Sequence, residues 1–318
     1  MAETFSLFGL QGYLYGLCAF IGAVILLAGM QLTDRKLPHG TVSLFGVLGI
    51  VLGIVFARAF FCAVNWSEFV HNYENPMLML NWFDGGMSMT GLLLGLLLAA
   101  MLTARIRRIS FGRLMDAVCV PFGLMIAALR FGEQFTDLGV GAAVNEGFAT
   151  EKLSWLLLES RMGVMVEYRL NVWLYEVVAG VILFLAAVCF FRKLKSHAGD
   201  TALLVVSLWG ASQILLESMR DDGHMLVIFL RIGQLSAFLL PAVSCGILCR
   251  RVKCRKAVWI AWLVVMLCVA GVAVLEFSLD GRLTFGTPTL ARDWTLMALC
   301  CAALAAVPCT LLHKVRKQ

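Results

Sequence analysis

Long apolar runs separated by short charged clusters dominate the chain. Mostly hydrophobic stretches sit near residues 12–32, 41–64, 86–104, 114–133, 172–191, 201–219, 228–249, 257–276 and 294–312. Each is close to the ~20 residues that a helix needs to cross about 30 Å of hydrocarbon. In that medium the backbone must satisfy its own N–H and C=O groups, so only helices or closed barrels span it. Strand-length alternating segments are not evident, and the pattern predicts an all-α polytopic membrane protein with about nine transmembrane helices. The fourth run is the most interrupted, with Asp116, Pro121 and Arg130 inside it. The weakly amphipathic stretch 151–169 reads as an arm lying along the membrane surface. The opening MAETFSLFGLQGYLYGL lacks a basic region and a small-residue cleavage site, so the first run is expected to stay in the mature chain.

Charge orients these runs. Lys and Arg gather in alternate loops: Arg35 and Lys36; Arg105, Arg107, Arg108 and Arg113; Arg192, Lys193 and Lys195; Arg250, Arg251, Lys253, Arg255 and Lys256; and Lys314, Arg316 and Lys317. The intervening loops hold only Lys152, Arg161, Arg169, Arg220, Arg231, Arg282 and Arg292. Basic loops stay on the cytoplasmic side, so the N-terminus is expected outside and the C-terminus in the cytoplasm. Trp66, Trp82, Trp155, Trp173 and Trp294 then fall near the outer interface.

Composition agrees. Of 318 residues, 61% are hydrophobic and 14% charged, and the mean hydropathy is +0.88. Soluble domains run about 45–50% apolar and about 25% charged. The formal charge of +6 would suggest a nucleic-acid partner in a soluble protein, but here it reflects loop asymmetry and no such partner is expected. Most of the 11 cysteines lie inside apolar runs, and none has metal-site or disulfide-framework spacing. No metal or cofactor is implied.

Charges inside the membrane need a reason, because each costs at least ~2.5 kcal/mol at a helix centre. Arg58 lies in VLGIVFARAFF, Arg130 and Glu133 in MIAALRFGEQF, and Glu176 in NVWLYEVVAG. Gln213 and Glu217 are one helical turn apart, with Arg220 next on that face, and Gln234 lies in RIGQLSAF. These residues sit toward the outer halves of different spans and can converge on one polar cavity. Arg130 is expected there beside side chains from spans two, five and six. Buried ion pairs that merely hold the bundle together are the competing reading. Cationic side chains on that side suit a phosphate, of which an anionic lipid headgroup is the natural source.

Several of these segments resemble the prolipoprotein diacylglyceryl transferase family. The likeness covers roughly residues 12–250. WFDGGMS (Trp82–Ser88), ISFGRLMDAVCVPFGLMIAALRFGE, LYE (Leu174–Glu176), GASQILLESMR (Gly210–Arg220) and IGQLSAF (Ile232–Phe238) follow the family's order. The resemblance implies transfer of the diacylglyceryl group of phosphatidylglycerol to a lipobox cysteine thiol of a prolipoprotein, in a bacterial plasma membrane. Carried over by motif, Arg130 and Gly132 match the signature element and Glu217 and Arg220 the sixth-span element. Tyr175 and Glu176 match the Tyr-Glu element, and Asp84, Gly85 and Gly86 the loop that shapes the site. Thr90 stands where the family has His, Glu133 where it has Asn, Gln213 where it has Arg, and Trp209 where it has Tyr.

The site expected on these grounds has Arg130, Glu133, Glu217 and Tyr175 as catalytic groups, with Glu133 the candidate proton acceptor. Arg58, Asp84, Gly85, Gly86, Thr90, Gly132, Glu176, Gln213, Arg220 and Gln234 would bind phosphatidylglycerol and the lipobox peptide among membrane lipids. A relative that binds phospholipid or lipopeptide without this turnover is the alternative. Residues 1–250 are expected to form a seven-helix transferase-like domain. Residues 251–318 are read as an added two-helix extension without a polar constellation, a packing or partner surface.

Overall fold

The computed structural model describes residues 4–7, 10–72, 76–81, 86–144, 152–162, 165–221, 226–227, 230–283 and 290–317. Among them are nine helices long and apolar enough to cross a membrane, each falling on one of the apolar runs. They are α1 (Leu14–Thr33), α2 (Thr41–Val64), α3 (Met89–Arg107), α4 (Phe111–Gly132), α5 (Val172–Lys193), α6 (Asp200–Met219), α7 (Ile232–Cys249), α8 (Arg255–Leu279) and α9 (Leu290–Arg316). The chain is a multi-pass, all-α membrane protein.

The most interrupted run becomes the central helix. α4 packs against α1, α5 and α6 and is buried along most of its length. Lipid tails are as apolar as leucine, so helix association rests on close packing and interhelical polar contacts. At the α4–α5 crossing, a Cβ on Gly123 would lie 2.4 Å from the Gly180 carbonyl oxygen, so a larger residue would force the helices apart. Pro121, inside α4, seats against Gly29 of α1, where a Cβ would be 2.3 Å from the proline Cβ.

Two apolar cores share α6. One joins Leu26, Phe45, Leu114, Ile126, Leu183 and Trp209 across α1 to α6. The other joins Ile214 of α6 and Leu248 of α7 to Val265 and Val272 of α8 and Met297 and Leu304 of α9. The last two helices are therefore packed on α6 and α7 rather than set apart from them.

Short antiparallel strands join the spans. β1 (Thr4–Leu7) and β2 (Leu10–Tyr13) lead into α1. β3 (Val140–Val144), β4 (Leu157–Met162) and β5 (Met165–Asn171) form a sheet in the order β3-β5-β4. β6 (Leu226–Val227) and β7 (Leu230–Arg231) precede α7. Most of the stretch 151–169, read as a surface arm, is β4 and the first part of β5. Its alternation was hidden because paired positions mix polarity. Glu159 stands opposite Tyr168 and Leu158 opposite Arg169, so neither face of the hairpin is cleanly apolar.

This sheet positions part of the site. Gly141 of β3 bridges to Arg220, and the Asp221 N–H donates to the Val140 carbonyl at 2.8 Å. The Arg169 guanidinium lies 2.9 Å from the Asp221 carboxylate. The chain leaving α6 is therefore tied to β3 and β5 where Arg220 turns inward.

Candidate functional site: a buried ring of arginines and glutamates

Local structure brings the first two charges together. α4 ends at Gly132 and runs on as a 3-10 turn, Glu133–Phe135, which keeps Glu133 one turn from Arg130. Arg130 Nη1 donates to Glu133 Oε1. From α5, whose N-terminus is capped by the Asn171 side chain, Glu176 Oε2 lies 2.9 Å from Arg130 Nε. The same oxygen accepts from Arg220 Nη1 at 3.0 Å, and Arg220 Nη2 lies 3.3 Å from Glu133 Oε2. Arg130, Glu133, Arg220 and Glu176 thereby close a four-membered ring.

Its members are nearly sealed from solvent, with relative exposures of 7% for Arg130, 3% for Glu133, 1% for Glu176 and 8% for Arg220. Two positive and two negative charges cancel, which makes such burial tolerable. Removing one partner from a buried pair strands the other and costs ~3–5 kcal/mol. Glu176 Oε1 is buried without a hydrogen-bond partner among the described residues.

Gln213 of α6 accepts from Arg130 Nη2 at 3.4 Å, completing the convergence of α4, α5 and α6. Glu217, one turn further along α6, lies against α7: a Cβ on Gly233 would meet its Oε1 at 2.6 Å. It adds negative charge beside Arg130 and Glu176. Arg130 thus meets groups from spans five and six, as expected, but as a packed knot of ion pairs.

Span two contributes differently. Arg58 donates to the carbonyls of Leu78, Met79 and Gly86 at 3.0, 3.0 and 3.2 Å, and lies 5.7 Å from the Phe61 ring centroid. Carbonyl dipoles and an aromatic face stabilise this guanidinium, so it braces the α2–α3 connection. Gly86 has φ +68°, and a Cβ there would lie 2.5 Å from the Phe61 ring. Both facts demand glycine at that turn. Asp84 and Gly85 lie outside the described residues.

The remaining expected residues are placed as follows. Thr90, at the start of α3, donates to the Ser236 hydroxyl of α7 at 3.0 Å. Tyr175 donates to the Leu156 carbonyl at 2.7 Å, holding the segment before β4. Gly132 brings α1 close: a Cβ there would be 3.1 Å from Tyr15 Cδ2. Gln234 is buried, accepting from the Arg231 N–H at 3.3 Å and donating to the Ile214 carbonyl at 3.3 Å.

Three neighbours were missed. Tyr15 of α1 stands within electrostatic reach of all four ring members. Arg231 donates through Nη2 to the Arg220 carbonyl. Glu276 of α8 accepts from Gln234 Nε2 at 2.6 Å. A tyrosine opening a span and a carboxylate inside an otherwise apolar run were the available signals. The extension is also corrected on this point: Glu276, Ser278 and Asp293 are buried, and Ser278 donates to Asp293 at 2.8 Å.

The nine apolar spans among the described residues, with a buried arginine–glutamate ring where α4, α5 and α6 meet, define a multi-pass membrane protein with a charged site inside its helical bundle. Residues 2–250 match the profile of the prolipoprotein diacylglyceryl transferases. The chain belongs to that family, and α8 and α9 lie beyond the matched residues. It is 26% identical over 225 residues to a phosphatidylglycerol–prolipoprotein diacylglyceryl transferase of Clostridioides difficile, covering 70% of this chain and 84% of that one. A protein of the same name from Listeria innocua is 27% identical over 242 residues, covering 75% and 86%. One from Halalkalibacterium halodurans is 24% identical over 233 residues, covering 72% and 78%.

Proposed function

We propose that this chain transfers the diacylglyceryl group of phosphatidylglycerol to the lipobox cysteine thiol of prolipoproteins in a bacterial plasma membrane, with its N-terminus outside. Residues 1–250 act as the transferase unit, and residues 251–318 are an added two-helix unit. The observation that carries this reading is the closed Arg130–Glu133–Arg220–Glu176 ring, built from the segments that match the family.

In the reaction the thiol sulfur attacks the glyceryl carbon that bears the phosphate ester. An S–C bond forms, the C–O bond breaks, and its electron pair leaves with glycerol phosphate. Arg130 and Arg220 stabilise the charge gathering on that phosphate, the kind of group for which a planar, multi-donor guanidinium is suited. Both arginines are neutralised by carboxylates at rest. Glu133 accepts the thiol proton, and its loss of charge releases guanidinium donors as the phosphate needs them. Proton uptake and anion stabilisation are thus coupled through one side chain. Gln213 steadies Arg130, and Glu217, Gln234, Gly86 and Arg58 shape the surroundings.

A second reading has one observation in its favour. Thr90, at the family's histidine position, spends its hydroxyl on Ser236 and offers no imidazole. A phospholipid- or lipopeptide-binding relative without turnover would look the same there. Expression in a strain depleted of its own transferase separates the two. Restored lipidation of a reporter lipoprotein supports the enzyme, while none from a fully membrane-inserted protein supports the binder.

A further inference from the structure

A second polar chain runs from α8 and α9 to the ring. Glu276 of α8 is 8% exposed, accepts from Gln234 Nε2 at 2.6 Å and also pairs with the Ser218 hydroxyl. Trp294 of α9 donates its indole N–H to Ser218 at 3.1 Å. Ser218 lies between Glu217 and Arg220 in sequence, so both C-terminal helices reach the segment that delivers Arg220.

An amide has a donor end and an acceptor end, so fixing one fixes the other. The Glu276 carboxylate and the Ile214 carbonyl offer only acceptors, and together, Glu276 by the shorter bond, they commit Gln234 Nε2 to their side. Gln234 Oε1 is then left facing α7's first residues, where it accepts from the Arg231 N–H at 3.3 Å. Arg231 in turn donates through its guanidinium to the Arg220 carbonyl. Each link is a buried or half-buried hydrogen bond, and the last one ends on a member of the ring.

We propose that Glu276 is a positioning residue: through Gln234 and Arg231 it sets the placement of Arg220, and the C-terminal helices are thereby part of the site's support. It touches no substrate and acts only through this chain. The proposal rests on the reading of the ring as a phosphate-handling site.

The test uses the full-length protein in detergent and compares Glu276→Leu with Glu276→Gln. Leucine removes the nearer acceptor and leaves Gln234 Nε2 only the Ile214 carbonyl at 3.3 Å, whereas the glutamine oxygen can still accept from it. Two quantities are read per folded molecule: kcat/KM for lipidation, and the rise in melting temperature that phosphatidylglycerol produces over phosphatidylethanolamine. Glu276→Leu should lower kcat/KM about tenfold, since small misplacements at a site cost up to ~100-fold. It should also cut the phosphatidylglycerol-specific rise by at least half, and Glu276→Gln should restore both. A purely structural role would lower the baseline melting temperature of Glu276→Leu and leave both quantities unchanged, overturning the proposal. Equal losses in the two variants would overturn it as well, since charge rather than the acceptor would then matter. If the unmodified protein shows the lipid effect without turnover, the transferase reading fails while the order of the variants still decides the role of Glu276. No phosphatidylglycerol effect in the unmodified protein overturns both.

Discussion

The two ends of α4 both bury carboxylates, and they do so in opposite ways. Near its first turn, Asp116 accepts from the backbone N–H groups of Gly199 and Ala202 at 2.8 and 2.9 Å and pairs with Lys195 at 2.9 Å. Asp200 accepts from Ser196 and His197 N–H groups and from Arg251 at 2.9 Å. Asp116 thereby takes the Gly199 and Ala202 N–H groups at the N-terminus of α6, and both acids complement its dipole. The cations there, Lys195 and Arg251, remain partly exposed. At the other end the guanidiniums themselves are buried, their partners are side chains, and Glu176 Oε1 keeps an unused acceptor. Backbone N–H groups cannot be exchanged for a ligand, but a guanidinium held by a carboxylate can be. The first arrangement is architecture, and the second can change partners.

The largest expected effect separates these ends. Arg130→Lys keeps the charge but loses the multi-donor geometry that joins Glu133, Glu176 and Gln213. Lipidation per folded molecule should fall by roughly 100-fold or more, comparable to removing a preorganised donor from an anion site. Retained activity would mean that only a point charge is needed. Glu133→Gln should have an effect at least as large. It keeps the shape but cannot accept the thiol proton, and should abolish native turnover while the protein stays folded. Thr90→His should raise activity by restoring an imidazole at the position beside Ser236 where the family has histidine. Unchanged turnover in Glu133→Gln would move the proton acceptor elsewhere.

At the opposite end the effect should be on folding alone. Asp116→Asn leaves one backbone N–H facing an amide N–H₂ and should cost about 1–3 kcal/mol of stability. Its turnover per folded molecule should match the parent. The smallest effect concerns Asp34, in the connection between α1 and α2, whose carboxyl the Arg113 hydrogen bond holds below the usual carboxylate range. A depressed folded value contributes stability above the unfolded pKa of about 3.9 and loses it as pH falls through the folded value. The melting temperature should therefore show a small acid step below about pH 4 that is absent in Asp34→Asn.

The spans and the ring were legible for one reason. A charge inside hydrocarbon must find a partner, so Arg130, Glu133, Glu176, Gln213 and Arg220 had few places to go except toward one another. Arg58 was read with them, but among the described residues it meets the carbonyls of Leu78, Met79 and Gly86, and carbonyls leave no mark in a sequence. Glu276 escaped notice because Gln234 is 42 residues away and neutral, so no charge pattern tied them. The β4–β5 hairpin was hidden by its mixed faces. Long-range neutral contacts and backbone partners are the part of a membrane protein that residue chemistry alone conceals.

The most direct measurement of the central claim sets Arg130→Gln beside Asp116→Asn, each purified and counted as folded molecules, with lipidation of one reporter peptide by phosphatidylglycerol as the readout. Both variants remove a buried α4 charge from its ion pair. The ring reading predicts turnover lost by at least about 100-fold in the first and unchanged in the second. Equal turnover in the two variants would contradict it and reduce the ring to a structural brace.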